Sequence, residues 1–224
     1  MLEISNYKVY DLEESVIACR NAMRLEMPEY TEEEFKESLA RSIQLANTPN
    51  GSGHQNFLKG IRVSFDIKYP CYISPELQRY NWIDIVTSAS KIHKLLQMDL
   101  DMACNEWVSQ ETIDKMRKLI DNYNSIKNSD SEYGVFYLRG GKVREAHSKQ
   151  EKLYCQWMKI ISECPHGLEL FMRVSTNYLQ LKTIWHQRKN HKLMEDWGAM
   201  CEFIEGLPYA KEFIIGYENK RRDI

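Results

Sequence analysis

Long apolar runs are missing from this sequence. No stretch approaches the roughly 20 apolar residues that a membrane-spanning helix needs, and Met1 to Asn6 lacks a basic-then-apolar signal pattern. A cytoplasmic protein is expected. Closely spaced cysteines are missing too. Cys19, Cys71, Cys104, Cys155, Cys164 and Cys201 form no CxxC pair, and their smallest gap is nine residues. That argues against a zinc site built from them and against a disulfide framework in a chain of 224 residues. They read as reduced thiols that mostly behave as small buried hydrophobes. An excess of one charge is also absent. Thirty Lys and Arg against 32 Asp and Glu leave a net charge of -2, which gives little long-range pull on phosphates and argues against a nucleic-acid coat. With no internal repeat, low-complexity tract or composition shift, the chain reads as one domain.

What is present is apolar and aromatic material for a core. Hydrophobic residues make up 43% of the chain, and 13 Tyr, seven Phe and five Trp are many for this length. Residues 3–9 alternate loosely and predict a first strand. Asp11 with Glu14, and Thr31 with Glu34, are capping-box patterns that predict helices over about 12–23 and from 31 to near 48. Residues 61–69 alternate strictly, with Ile61, Val63, Phe65, Ile67 and Tyr69 on one face. This is the clearest strand signal, and Pro70 ends it for want of an N–H. The spacing from Pro75 to about Leu96 reads as helical, as does 110–126. Residues 127–148 read as an inserted or mobile loop in which Val135 to Leu138 pair as a hairpin across Gly140-Gly141. Helices are expected over 149–163, 177–190 and 194–205, with a short strand over 170–175. The class is α+β, helix-rich.

Three segments carry chemistry-bearing side chains. His54 follows Gly53 in a loop before the alternating strand. Arg79 and Tyr80, followed by Ser88, Ser90, Lys91 and His93, form a polar cluster beyond the strand's carboxyl end, where sheet proteins often bind ligands. Hydroxyls and cations there suit phosphate or base recognition. The third segment ends in His186, Arg188, Lys189, His191 and Lys192. It reads either as a solvated helix C-terminus or as an anion pocket in which Arg forks onto phosphate. Arg139-Gly140-Gly141-Lys142 lacks the phosphate-loop pattern, and Lys220-Arg221-Arg222 reads as a solubilising tail.

Two segments resemble the flavin-dependent thymidylate synthases. The first runs from Ser52 to Leu95. It has Gly53-His54 in a loop, then a strand, then Arg79 where the family carries Gln-x-x-Arg-His-Arg. The second runs from Thr176 to about Ile204. It has Asn177, Arg188 eleven residues on, and then Glu195-Asp196-Trp197. The resemblance implies an α+β fold, a mixed sheet flanked by helices, and a homotetramer with active sites at subunit contacts. It also implies FAD relaying hydride while dUMP becomes dTMP. By the same resemblance His54, Arg79 and Asn177 would lie near flavin, and Arg188 would grip the nucleotide phosphate.

The sequence also departs from that family. The His and second Arg of the first motif are Tyr80 and Asn81, and its Gln is Glu76. The family's Ser is Ala89, flanked by Ser88 and Ser90 as replacement candidates, and its Arg two after the Asn is Leu179. Each charge-assisted bond lost weakens binding by roughly 1.5–3 kcal/mol. The expectation is therefore a nucleotide-binding homo-oligomer whose dUMP methylation is impaired. The run Ser88 to Lys94 and the run Arg188 to Lys192 resemble a divergent branch carried by phages and prophages. Two alternatives stand beside that expectation: an active FAD-dependent thymidylate synthase in which Ser88 or Ser90 takes over the displaced Ser's role, or a non-catalytic phage protein that sequesters a host-defence signalling nucleotide.

Overall fold

The structure is a computed structural model that describes residues 1–49 and 51–216; the tail motif at 220–222 lies outside the described residues. In chain order the elements are β1 (Glu3–Tyr10), α1 (Leu12–Ala18), α2 (Glu32–Ala46), β2 (Arg62–Pro70), α3 (Ser74–Leu77), β3 (Asp84–Ser88), α4 (Lys91–Lys94), α5 (Leu100–Ala103) and α6 (Gln110–Asn128). There follow β4 (Gly134–Tyr137), β5 (Val143–Ala146), α7 (Lys149–Glu163), β6 (Glu169–Asn177), α8 (Tyr178–Arg188) and α9 (Met194–Glu205). The class is α+β. The chain groups into two compact units, one of residues 1–69, 73–88 and 171 onward, the other of residues 70–72 and 89–170.

The first unit is built on a four-stranded sheet of order β1-β2-β6-β3. β2 occupies an inner position because its alternation buries one whole face. Val63, Phe65 and Ile67 are at most 1% exposed, and Phe65 meets Phe203 of α9 with ring centroids 4.9 Å apart. Its polar face is a cross-strand ladder. Asp66 accepts from Asn6 at 2.8 Å and pairs with Arg173 of β6 at 3.1 Å, and these two donors hold its carboxyl below the ordinary range. β1 pairs antiparallel with β2, Val9 opposite Val63. Tyr178 at the head of α8 is fully buried and donates its hydroxyl to Pro208 O at 2.8 Å. The bond ties the start of α8 to the segment that follows α9.

Two local expectations are corrected. The span 75–96 is not one helix: β3 interrupts it, pairing antiparallel with β6, Ile85 opposite Val174. The β-branched run Ile85-Val86-Thr87 favours extended backbone, and β6 supplies the free edge. Asp11 is not a side-chain cap either. It sits in the left-handed region at φ 57° without a cap hydrogen bond, and α1 ends at Ala18. Thr31 does cap α2, its Oγ1 accepting from Glu34 N–H at 3.2 Å.

The second unit packs α6 against α7 around Ile113, Met116 and Ile160, with Leu95, Leu100 and Leu168. The segment expected to be a loop holds the β4–β5 hairpin, Tyr137 opposite Val143. Gly140 and Gly141 both adopt positive φ at its tip, 76° and 73°, which glycine tolerates without a Cβ clash.

Candidate functional site

A cleft of about 440 Å³ opens in the first unit between α8 and the turn that follows α3. Arg79, Tyr80, Asn81 and Trp82 form one wall. Gln180, Thr183, Gln187 and Arg188 form the other. The α8 residues recur at i, i+3, i+7 and i+8, one helical stripe. Gln180 Oε1 accepts from Trp82 N–H at 3.3 Å, which ties the turn to the helix.

Behind this cleft lies a closed polar cluster. Arg188 donates from Nε to Tyr80 Oη at 2.7 Å and from Nη1 to Glu76 Oε2 at 2.8 Å. The Tyr80 hydroxyl passes the chain on to Gln187 Oε1 at 3.2 Å. Trp197 of α9 is fully buried. Its ring lies under the guanidinium at 4.3 Å, within cation–π range, and its Nε1–H donates to Glu76 Oε2 at 2.8 Å. Leu193 N–H donates to His191 Nδ1 at 3.2 Å, so the neutral imidazole carries its proton on Nε2, 3.7 Å from Glu76 Oε2. The Arg188 side chain is only 12% exposed. Three groups thus fix it, and one of them cancels its charge.

The structure places the sequence-predicted residues in several separate surroundings. Arg79, Tyr80 and Arg188 meet at the cleft, with His191 behind it. Lys189 is exposed and lies over the Trp185 ring at 4.6 Å. Asn177 is 7% exposed and its Oδ1 accepts from Gln180 N–H at 2.9 Å as the N-cap of α8. That cap is a structural role for the Asn177 carboxamide oxygen. His54 lines a different, larger cleft of about 1090 Å³ beside Arg41 and Gly60. Ser88 ends the exposed strand β3. Ser90 caps α4 of the second unit by accepting His93 N–H at 3.3 Å, and Lys91 and His93 belong to that four-residue helix. Neither serine has a side-chain base bonded to it among the described residues. Sequence reasoning missed the contribution of Gln180, Thr183 and Gln187. Their i, i+3, i+7 spacing was the available signal.

The architecture is that of the flavin-dependent thymidylate synthases. The solved structure of flavin-dependent thymidylate synthase ThyX from Helicobacter pylori complexed with FAD and dUMP matches with a TM-score of 0.60 over 95% of this chain and 96% of that one, at 14% identity. A second structure of the Helicobacter pylori enzyme with FAD and dUMP matches with a TM-score of 0.58 at 13% identity, over 96% of each chain. No family model matches the chain, and a comparison with characterised proteins finds no match. At such identity the likeness establishes the fold.

Proposed function

We propose that the protein binds a nucleotide in the cleft between Arg79–Trp82 and α8, on a fold used for that purpose by the enzymes it resembles. The observation that carries the reading is the composition of the cleft. An indole face (Trp82, 45% exposed), two carboxamides and a hydroxyl from α8, and the Arg79 guanidinium surround a volume of about 440 Å³. A base ring can stack, its edge can meet the amides, and a phosphate can meet Arg79. Among the described residues the Arg79 side chain has no hydrogen bond or ion pair, so its charge is available.

Flavin fits the chain's own residues less well. The larger cleft has the size for a dinucleotide, yet its Arg20 is paired with Glu34 and Glu37 at 3.3 and 3.7 Å, and Glu37 itself lines the space. That leaves Arg41, bonded to Gln44 at 3.2 Å, as the uncompensated guanidinium for a diphosphate. His54 and Arg41 alone do not make a diphosphate cradle. Binding without turnover is the second reading, favoured by the two serines that lack a base; sequestration of a signalling nucleotide is its biological form. A homo-oligomer, a tetramer by resemblance, is supported by Ile85 and Val86, 46% and 63% exposed on the outermost strand beside the cleft.

The test is calorimetry of the purified protein with dUMP and a panel of other nucleotides, with a visible spectrum for flavin bands. Stoichiometric heat with at least one mononucleotide is expected. No heat with any of them overturns the reading.

A further inference from the structure

The cluster behind the cleft assigns a different task to Arg188 from the phosphate grip that the family resemblance implies. We infer that Glu76 is the specificity-determining residue of the cleft: its carboxylate occupies Arg188 where a ligand anion would otherwise sit, and keeps phosphate off that guanidinium. This rests on the cleft being a nucleotide site, as proposed above.

The geometry supports it in three independent ways. First, Glu76 Oε2 meets both Arg188 Nη1 and Trp197 Nε1 at 2.8 Å. A carboxylate oxygen with two donors is well satisfied, and moving it away would break both bonds. Second, the remaining contacts of Arg188 hold it in place. Nε is engaged by Tyr80 at 2.7 Å, and the buried Trp197 ring fixes the guanidinium plane at 4.3 Å. An incoming phosphate would have to share a cation whose charge is already matched, beside a second negative charge. Like charges brought against the same guanidinium repel each other, which offsets the charge-assisted bond a phosphate would gain there. Third, the rest of the cleft is uncharged apart from Arg79. Gln180, Thr183 and Gln187 carry no charge, and Gln187 has its Oε1 taken by the Tyr80 hydroxyl, which turns its NH₂ outward as a donor. The ligand class that follows has a neutral heterocycle along α8 and a single anionic group at Arg79.

Calorimetry with deoxyuridine and its 5′-monophosphate as probes tests this on the full-length protein. In Glu76→Gln the amide oxygen still accepts from Trp197, while Arg188 regains its free charge. The monophosphate should then bind about tenfold tighter or more than to wild type, one charge-assisted contact's worth. Deoxyuridine should change less than about threefold. A gain of less than threefold for the monophosphate overturns the inference. Should Glu76→Gln fail to fold, the paired replacement Glu76→Gln with Arg188→Met removes both charges together. The ratio of monophosphate to nucleoside affinity should then equal that of wild type, because Arg188 never held the phosphate. Collapse of that ratio to near unity overturns the inference. If wild type binds neither probe nor any other nucleotide, the function reading itself fails and takes this inference with it. Binding with the wrong ratios sinks the inference alone.

Discussion

Glu76 Oε2 lies 2.8 Å from Arg188 Nη1, across 112 positions of the chain. The pair ties the short α3 to the end of α8, and Trp197 of α9 closes over both. With side-chain exposures of 12% and 26%, the two charges are partly desolvated. Each therefore depends on the other more than a surface pair would.

This dependence predicts a non-additive double-mutant cycle. Arg188→Met alone strands a half-buried carboxylate and should destabilise by about 2 kcal/mol. With Glu76→Gln alone costing about 1 kcal/mol, adding it to Arg188→Met should recover about half of the loss, giving a coupling near 2 kcal/mol. Urea denaturation of the four proteins measures it. A coupling within about 0.3 kcal/mol of zero would show the pair to be energetically idle.

Asn177 is predicted to act on stability. Its Oδ1 caps α8, so Asn177→Ala should destabilise by about 1 kcal/mol, and Asn177→Ser should restore most of it. Nucleotide affinity measured in the same variants should be unchanged once they are folded. A tenfold affinity loss in Asn177→Ser would instead place the side chain against the ligand.

Lys182 predicts a pH dependence. Its ammonium is buried, donates to Ala46 O and Phe213 O, and burial pulls its pKa down to about 8 from 10.5. Between those values the unfolded chain holds more protons than the folded one, so this group makes stability rise with pH across that window. Below about pH 8 both states carry the proton and the penalty is constant. Cys164 and Tyr178 work in the opposite direction, because burial raises both their pKa values. The clean observable is therefore a difference. The Lys182→Met protein should lack about 1–2 kcal/mol of stability gain that wild type shows between pH 8 and 10.5. Parallel curves for the two proteins would contradict it.

The thiols should be slow. Burial pushes Cys164 up to about 11 and raises Cys19, Cys71, Cys104 and Cys201 as well. At pH 8 the thiolate fraction, and with it the reactivity, is low. Dithiobis(nitrobenzoate) should titrate these cysteines slowly in the folded protein and rapidly in denaturant. A fast equivalent from Cys164 in the native state, identified by mass mapping, would refute the assignment.

Much of the fold was legible because it rests on local chemistry. The strict alternation of Val63, Phe65 and Ile67 needs one buried face, and β2 provides it. The Thr31 cap and the Gly140-Gly141 tip depend on a few neighbouring atoms, so short motifs identify them. β3 was hidden because it is exposed along its whole length. It carries no burial alternation, and its strand state comes from the edge that β6 offers it. Asp11 failed as a cap for a related reason: the same residues allow a left-handed turn, and the chain path chose it.

The sequence by itself determined the class, the alternating strand, the long helices and the residues Arg79 and Arg188 as cations of interest. It also exposed Glu76 as an acid where the resembling enzymes carry Gln. What only the tertiary structure decided is the partnership among them. Glu76, Tyr80, Arg188 and Trp197 are spread over 121 positions, and no periodicity links them. Their charges and donors acquire meaning when α3, α8 and α9 meet, because at 2.8 Å a carboxylate cancels a guanidinium that sequence alone presents as free. The small net charge of the chain, which at first says only that no broad anionic partner is favoured, conceals a cleft where one guanidinium, Arg188, is matched by Glu76 and another, Arg79, is not.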